Sequence, residues 1–189
     1  MLLLGIYLET VTARLSLINR QIAEADSRLD DLVERLEGPQ EAPQEAPQEA
    51  PGQPEEQHDV TILRSLPGVG RIVLATLLAE ASEALRRRDY HALRCLSGVA
   101  PVTRRSGKSC IVLMRKAADG RLRNAVYHWA RVAAQIDPAS RTRYAALRAR
   151  GHGHARALRS VADRLLAVAC AMLRNRSLFD PNFPTKHPC

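Results

Sequence analysis

Two clusters of residues have the types and spacing to work on a phosphate. The first is Arg104-Arg105-Ser106-Gly107-Lys108-Ser109, followed by Arg115, Lys116, Arg121 and Arg123. Guanidinium groups grip phosphate oxygens in pairs. Serine can attack a phosphodiester if its proton is removed and the charge gathering on phosphorus is stabilised. Taken alone, a serine among arginines reads as a phosphate-binding loop, and a nucleophile is the sharper alternative. The second cluster is Leu63-Arg64-Ser65-Leu66-Pro67-Gly68-Val69-Gly70-Arg71-Ile72-Val73-Leu74-Ala75. It has the form of a helix-hairpin-helix, in which glycines let the backbone approach a phosphate and the next helix N-terminus offers free N–H groups. Pro67, Gly68, Val69, Gly70 and Arg71 would then position a duplex without reading its sequence. An ordinary helical turn with a glycine cap is the plainer alternative. The run Leu93-Arg94-Cys95-Leu96-Ser97-Gly98-Val99-Ala100 echoes this motif without its second glycine and reads as a packing turn.

Other polar clusters point to less. Gly151-His152-Gly153-His154 has two near-adjacent histidines but no Cys or carboxylate beside them, so it reads as a polar turn, and no metal site is expected. Within Tyr127-His128-Trp129, Trp129 is expected in the core and His128 on the surface. The arginines at 141, 143, 148, 150, 156 and 159 form either a solvated face or a phosphate track. Cys95, Cys110, Cys170 and Cys189 have no paired spacing and read as small hydrophobes in a reducing compartment.

The charge balance says where an anion would be met. The net charge of +8 hides an asymmetry: residues 1–58 carry 4 basic and 12 acidic side chains, residues 59–189 carry 24 and 8. A segment at −8 therefore precedes one at +16. All but three of the later cations (Lys108, Lys116 and Lys186) are arginine. A domain so one-sided repels itself unless a polyanion offsets the charge, and nucleic acid is the commonest such partner. Aromatic residues make up only 4% of the chain, so its core must be aliphatic, which favours helices.

The elements that must position these clusters follow from periodicity. Met1, Leu4, Leu8, Val11, Leu15, Ile18, Ile22, Ala25, Leu29, Leu32 and Leu36 recur in alternating steps of three and four. That is a heptad seam, which predicts a coiled-coil helix over residues 1–37 and a homo-oligomer formed through it. Residues 38–58 hold a threefold Gln-Glu-Ala-Pro repeat, read as a disordered, solvated spacer. Helical patterns resume near Val60–Leu66 and over Arg71–Ala81. Loop or short helix is expected over Leu85–Pro101, then a basic segment at Val102–Lys116. A helix at Gly120–Gln135 would turn Leu122, Ala125, Val126, Trp129 and Val132 inward. Two more helices follow, from Asp137-Pro138 towards Arg150 and over His154–Leu173, and residues 181–189 read as a disordered tail. The expected fold is all-α: a coiled-coil helix, a Pro/Glu-rich linker, and a compact helical domain over 59–180. The apolar start, Met1 to Leu8, is too short to span a bilayer and lacks a basic leader region, so a cytoplasmic, nucleoid-associated protein without a membrane partner is expected.

In this order, Leu66-Pro67-Gly68-Val69-Gly70, Gly98-Val99-Ala100-Pro101, Arg105-Ser106-Gly107-Lys108, Arg121-Leu122-Arg123-Asn124-Ala125, Tyr144 and Leu165-Leu166 resemble a known domain. It is the C-terminal domain of the IS110/IS116/IS902 family of insertion-sequence transposases, and the likeness runs from Leu63 to Asp180. The resemblance implies a serine-using DNA recombinase with DNA as substrate and a structured guide RNA as a further partner. It places the nucleophile on Ser106, with Ser109 as fallback, and a serine–DNA phosphodiester as the intermediate. Family members also carry a RuvC-like domain with four metal-binding carboxylates ahead of a coiled coil. From Met1 onward this sequence shows no such set, since Glu24, Asp26, Asp30 and Asp31 read as a solvated helix face. No cofactor is expected to be held by this chain, and Mg2+ is expected only where a RuvC-like domain is supplied. The alternative is a non-catalytic, oligomerising DNA- or RNA-binding remnant.

Overall fold

The computed structural model describes residues 2–37 and 53–181, and the chain divides into two units, residues 1–42 and 43–189. The first unit holds one helix, α1 (Leu2–Glu37), of 36 residues, which at 1.5 Å per residue is about 54 Å long. Its expected seam faces outward: Leu15, Ile18, Ile22 and Leu32 are all about half exposed or more. The Gln-Glu-Ala-Pro repeat lies outside the described residues, as do residues 182–189.

The second unit is built on α2 (Gln53–Ser65), α3 (Arg71–Glu80), α4 (Ser82–Arg86), α5 (Tyr90–Leu96), α6 (Gly120–Ile136), α7 (Pro138–Ala149) and α8 (His154–Asn175). Helix α2 starts seven residues before the expected Val60 and so takes in the end of the expected 38–58 linker. Side-chain caps mark several starts. Asp89 accepts from the Ala92 N–H, Asp119 from Leu122, and Asp137 from Ser140, with Pro138 in the first turn where its missing N–H costs nothing. Helix α6 is central, packing on α3, α7 and α8. It buries Leu122, Ala125, Val126, Trp129 and Ala133, and the helices packed on it bury Leu74, Leu158, Leu166 and their neighbours. Each large aliphatic side chain removed from water contributes about 1.5–3 kcal/mol, which is how an aliphatic core holds this unit together. Val132 departs from expectation: it is 39% exposed and lies over the turn that follows α2.

The fold is mostly helical but not all-α. Within the expected basic loop, β1 (Val102–Ser106) and β2 (Ser109–Leu113) pair antiparallel, with Val102 opposite Leu113 and Ser106 opposite Ser109. The chain turns in two residues, Gly107 and Lys108, with Gly107 at φ 55°. Glycine at positive φ in the first loop position matches the strand twist of a tight hairpin. The ribbon packs chiefly on itself and is exposed along nearly its whole length, including Ile111, Val112 and Leu113.

Candidate nucleic-acid interface

In a two-stranded ribbon, side chains alternate between faces. Ser106 therefore shares its face with Arg104 on β1 and with Ser109 and Ile111 on β2, whereas Arg105 lies on the other face beside Cys110. The structure brings the two candidate serines together as cross-strand partners. Of the two arginines adjoining Ser106 in sequence, it keeps only Arg104 on the same side. Arg104, Arg105 and Lys108 are exposed and form no ion pair among the described residues. Just beyond the ribbon, Lys116 is exposed, and the Arg115 Nε is shielded from solvent without a hydrogen-bond partner among the described residues. An unmade bond at a buried charged donor is costly, so Arg115 can gain from an incoming acceptor.

The remaining expected contacts divide. Arg123 is half-buried on the first turns of α6, near Gly98, and forms no ion pair among the described residues. Arg121 reaches back to Glu80 at 3.2 Å. The Pro67–Arg71 turn lies elsewhere. A side chain at Gly68 would meet the Ala133 nitrogen at 2.9 Å and the Trp129 carbonyl at 3.3 Å, whereas Gly98 lies against the side chains of Ala118 and Arg123. Those places on α6 are six to ten residues apart, roughly 9–15 Å along the axis. The two sequence clusters therefore approach opposite ends of one helix.

Gly68 has a reason of its own. Its φ is 82°, and the turn it forms is pinned by the Trp129 indole, whose Nε1 donates to the Pro67 carbonyl at 2.9 Å. Close packing on α6 thus accounts for this glycine. Gly70 has ordinary geometry as the residue before α3, with nothing within 4 Å of where a Cβ would stand. Gly98 repeats the Gly68 arrangement after α5, at φ 70° and with a side chain there meeting the Ala118 methyl at 2.9 Å, so the sequence echo is one of helix-ending packing turns.

Histidine 154, singled out beside Gly153, accepts or donates between two phenols: the Tyr144 hydroxyl is 2.8 Å from Nδ1 and the Tyr127 hydroxyl 3.4 Å from Nε2. Trp129 is fully buried and His128 exposed, as expected. Sequence reasoning missed a polar cluster between α5 and α8. Asp163 accepts from the Tyr90 hydroxyl at 2.8 Å and pairs with Arg94 at 2.6 Å, while Arg94 lies 5.1 Å from the Tyr90 ring centre. Burial first, then the Asp163 carboxylate, pushes the Tyr90 phenol up to about 12. No local spacing could have shown a contact across 73 residues. Burial likewise raises the Cys170 thiol to about 11, in keeping with a core cysteine, while Cys95 and Cys110 are exposed. Among the described residues no group of three or more His, Cys, Asp or Glu could hold a metal ion. No described helix is long and apolar enough to cross a membrane.

Comparison with known proteins bears on this arrangement. Residues 60–145 match the model of the family described as "Transposase IS116/IS110/IS902 family". The chain is 37% identical over 126 residues to the "Mini-circle putative transposase for IS117" of Streptomyces coelicolor, an overlap covering 66% of this chain and 30% of that protein. It is 33% identical over 131 residues to the 43.6 kDa protein of insertion element IS110 from the same organism, covering 68% and 32%. It is 37% identical over 122 residues to the 42 kDa protein of insertion element IS900 of Mycobacterium paratuberculosis, covering 64% and 31%. The chain thus spans about a third of the length of these relatives. The matched region takes in the latter half of α2, α3 to α6, the ribbon and much of α7, and over residues 60–145 the chain carries the domain of the IS116/IS110/IS902 transposase family.

Proposed function

We propose that this chain is the DNA-handling part of an insertion-sequence transposase and that it exchanges strands through a serine–DNA phosphodiester. The observation that carries the reading is the exposed ribbon face on which Arg104, Ser106 and Ser109 lie together, free of any carboxylate partner among the described residues. On that face the Ser106 hydroxyl gives up its proton to solvent as its oxygen attacks phosphorus, the bond to one strand end breaks, and that end takes up a proton from solvent and leaves as a hydroxyl. Arg104 is placed to hold the non-bridging oxygens while charge builds on them. Arg105, Lys108, Arg115, Lys116 and Arg123 hold flanking phosphates, and the helix-hairpin-helix turn at Pro67–Arg71 supplies a second, more distant backbone contact. A RuvC-like domain would supply divalent-metal chemistry. A guide RNA follows from the family resemblance alone.

The half-exposed seam of α1 supports assembly with a second copy through a coiled coil. Changing Leu15 and Ile22 to Asp should give monomers in sedimentation, and an unmodified chain that is already monomeric would remove that part of the reading.

The chemistry is tested with a nicked DNA substrate that traps a covalent protein–DNA adduct, with and without an added RuvC-like domain. Adduct should form with that domain present and vanish in Ser106→Ala. Adduct that survives Ser106→Ala but is lost in Ser109→Ala would move the role across the ribbon to the neighbouring strand. DNA binding with no adduct in either arrangement would leave a non-catalytic binding remnant.

A further inference from the structure

Where both ends of the ribbon join the helical body, a groove of about 220 Å3 opens between α6 and α8. Its floor is aliphatic, from Val126, Leu158 and Ala162, and the half-buried Tyr127 also lines it. Two cations, Arg123 and Arg159, line it as well, along with the exposed Asn124. Neither arginine is paired with a carboxylate among the described residues, and Arg159 Nη1 donates instead to the Met114 sulfur at 3.1 Å. A thioether is a weak acceptor, so a phosphate oxygen would readily displace it.

The groove is smaller than the roughly 300–1,000 Å3 that holds a drug-sized molecule, which leaves space for one flat ring rather than a peptide or helix. A ligand suited to these walls has apolar faces for the aliphatic floor and the phenol ring, a polar edge for the Asn124 amide, and an anionic tether for the arginines. That description is a nucleotide. We infer that the groove receives one unpaired nucleotide of the DNA strand engaged by the ribbon, an inference that rests on the DNA-handling reading above. An unpaired base has already lost its stacking partners, so lodging it here costs least, and an aromatic wall accepts any base because each has a π-face.

The test measures binding of the full chain to a fully paired DNA duplex, and to the same duplex with a one-nucleotide bulge. The bulged duplex should bind about tenfold more tightly, as stacking of a single base on an aromatic side chain permits. Ala155 lies on the groove but is exposed, so Ala155→Phe fills the groove without disturbing the core. It should abolish the preference and leave paired-duplex affinity unchanged. Tyr127→Leu, which keeps an apolar wall without the ring, should reduce the preference severalfold. Equal affinity for both duplexes, or a preference that survives Ala155→Phe, would overturn the inference while sparing the DNA-binding reading. Tighter binding to a bulged RNA duplex than to the bulged DNA would overturn the choice of DNA as occupant. Failure to bind any nucleic acid at low salt would instead sink the reading on which the inference rests.

Discussion

Two groups of cations in the second unit differ in what they face. On one side Arg88 meets Asp59 at 2.6 Å, Arg94 meets Asp163, Arg86 and Arg87 share Glu83, and Arg121 reaches Glu80. On the ribbon and at its foot, Arg104, Arg105, Lys108, Arg115, Lys116, Arg123 and Arg159 have no such partner among the described residues. The reason is arithmetic in the sequence. Beyond residue 58 there are eight carboxylates, and four of them make those pairs while Asp89, Asp119 and Asp137 cap helices. None falls between Asp89 and Asp119, the stretch that contains the ribbon, nor between Asp137 and Asp163. Net charge tells that an anion is wanted; the placement of the few carboxylates tells where.

The largest expected effect breaks this contrast directly. Replacing Arg104, Arg105 and Lys108 together by Ala should weaken duplex binding about tenfold to a hundredfold and lower the salt slope by roughly two to three. Replacing Arg86 and Arg87 by Ala should change affinity less than about twofold, because both guanidiniums are engaged by Glu83. Fluorescence anisotropy across a salt series compares the two, and equal losses would erase the distinction between paired and unpaired faces.

A second contrast separates the two glycines of the α2–α3 turn. Gly68→Ala combines positive φ with a clash against the α6 backbone and should cost about 2–3 kcal/mol, a fall of roughly 5–10 °C in Tm. Gly70→Ala should stay within about 0.5 kcal/mol. If thermal unfolding shows the opposite order, packing is not what Gly68 provides. Trp129→Phe leaves the Pro67 carbonyl without its donor and should cost about 1–2 kcal/mol by the same measurement.

The smallest effect belongs to the paired side. Burial chiefly raises the Tyr90 phenol from its ordinary value of 10.0 to about 12 in the folded chain. Its contribution is therefore complete below about pH 10 and is lost as pH rises from 10 towards 12, where the unfolded chain ionises more easily. Tyr90→Phe should flatten the decline of stability across that window. An identical slope in both proteins would show that the phenol is not what titrates.

The helices were legible because their signals are local. Apolar spacing placed α6 to within one residue, and Asp137-Pro138 announced α7 through its cap. The ribbon was hidden because both its faces are solvated, so no alternation of apolar and polar residues marks it, and its arginines suggest a loop. The two-residue break at Gly107-Lys108 between segments containing Val102, Thr103, Ile111 and Val112 was the available signal. Ser106 was named from the order of motifs, but its neighbours on one face depend on strand pairing, which periodicity did not reveal. The turn at Gly68 was legible as a turn. Its partner, Trp129, lies 61 residues away and could not be read from spacing.

The pairing of Ser106 with Ser109 across a two-residue loop also makes the ribbon sensitive to parity. Adding one residue between Arg104 and Ser106 would turn the serine to the face that now carries Arg105, while adding two would return it to the Arg104 side, one step further along. An insertion of two residues here would keep the hydroxyl on its guanidinium's face; a single insertion would keep every residue type and separate the two. Variation in this segment should therefore be tolerated in even steps and penalised in odd ones.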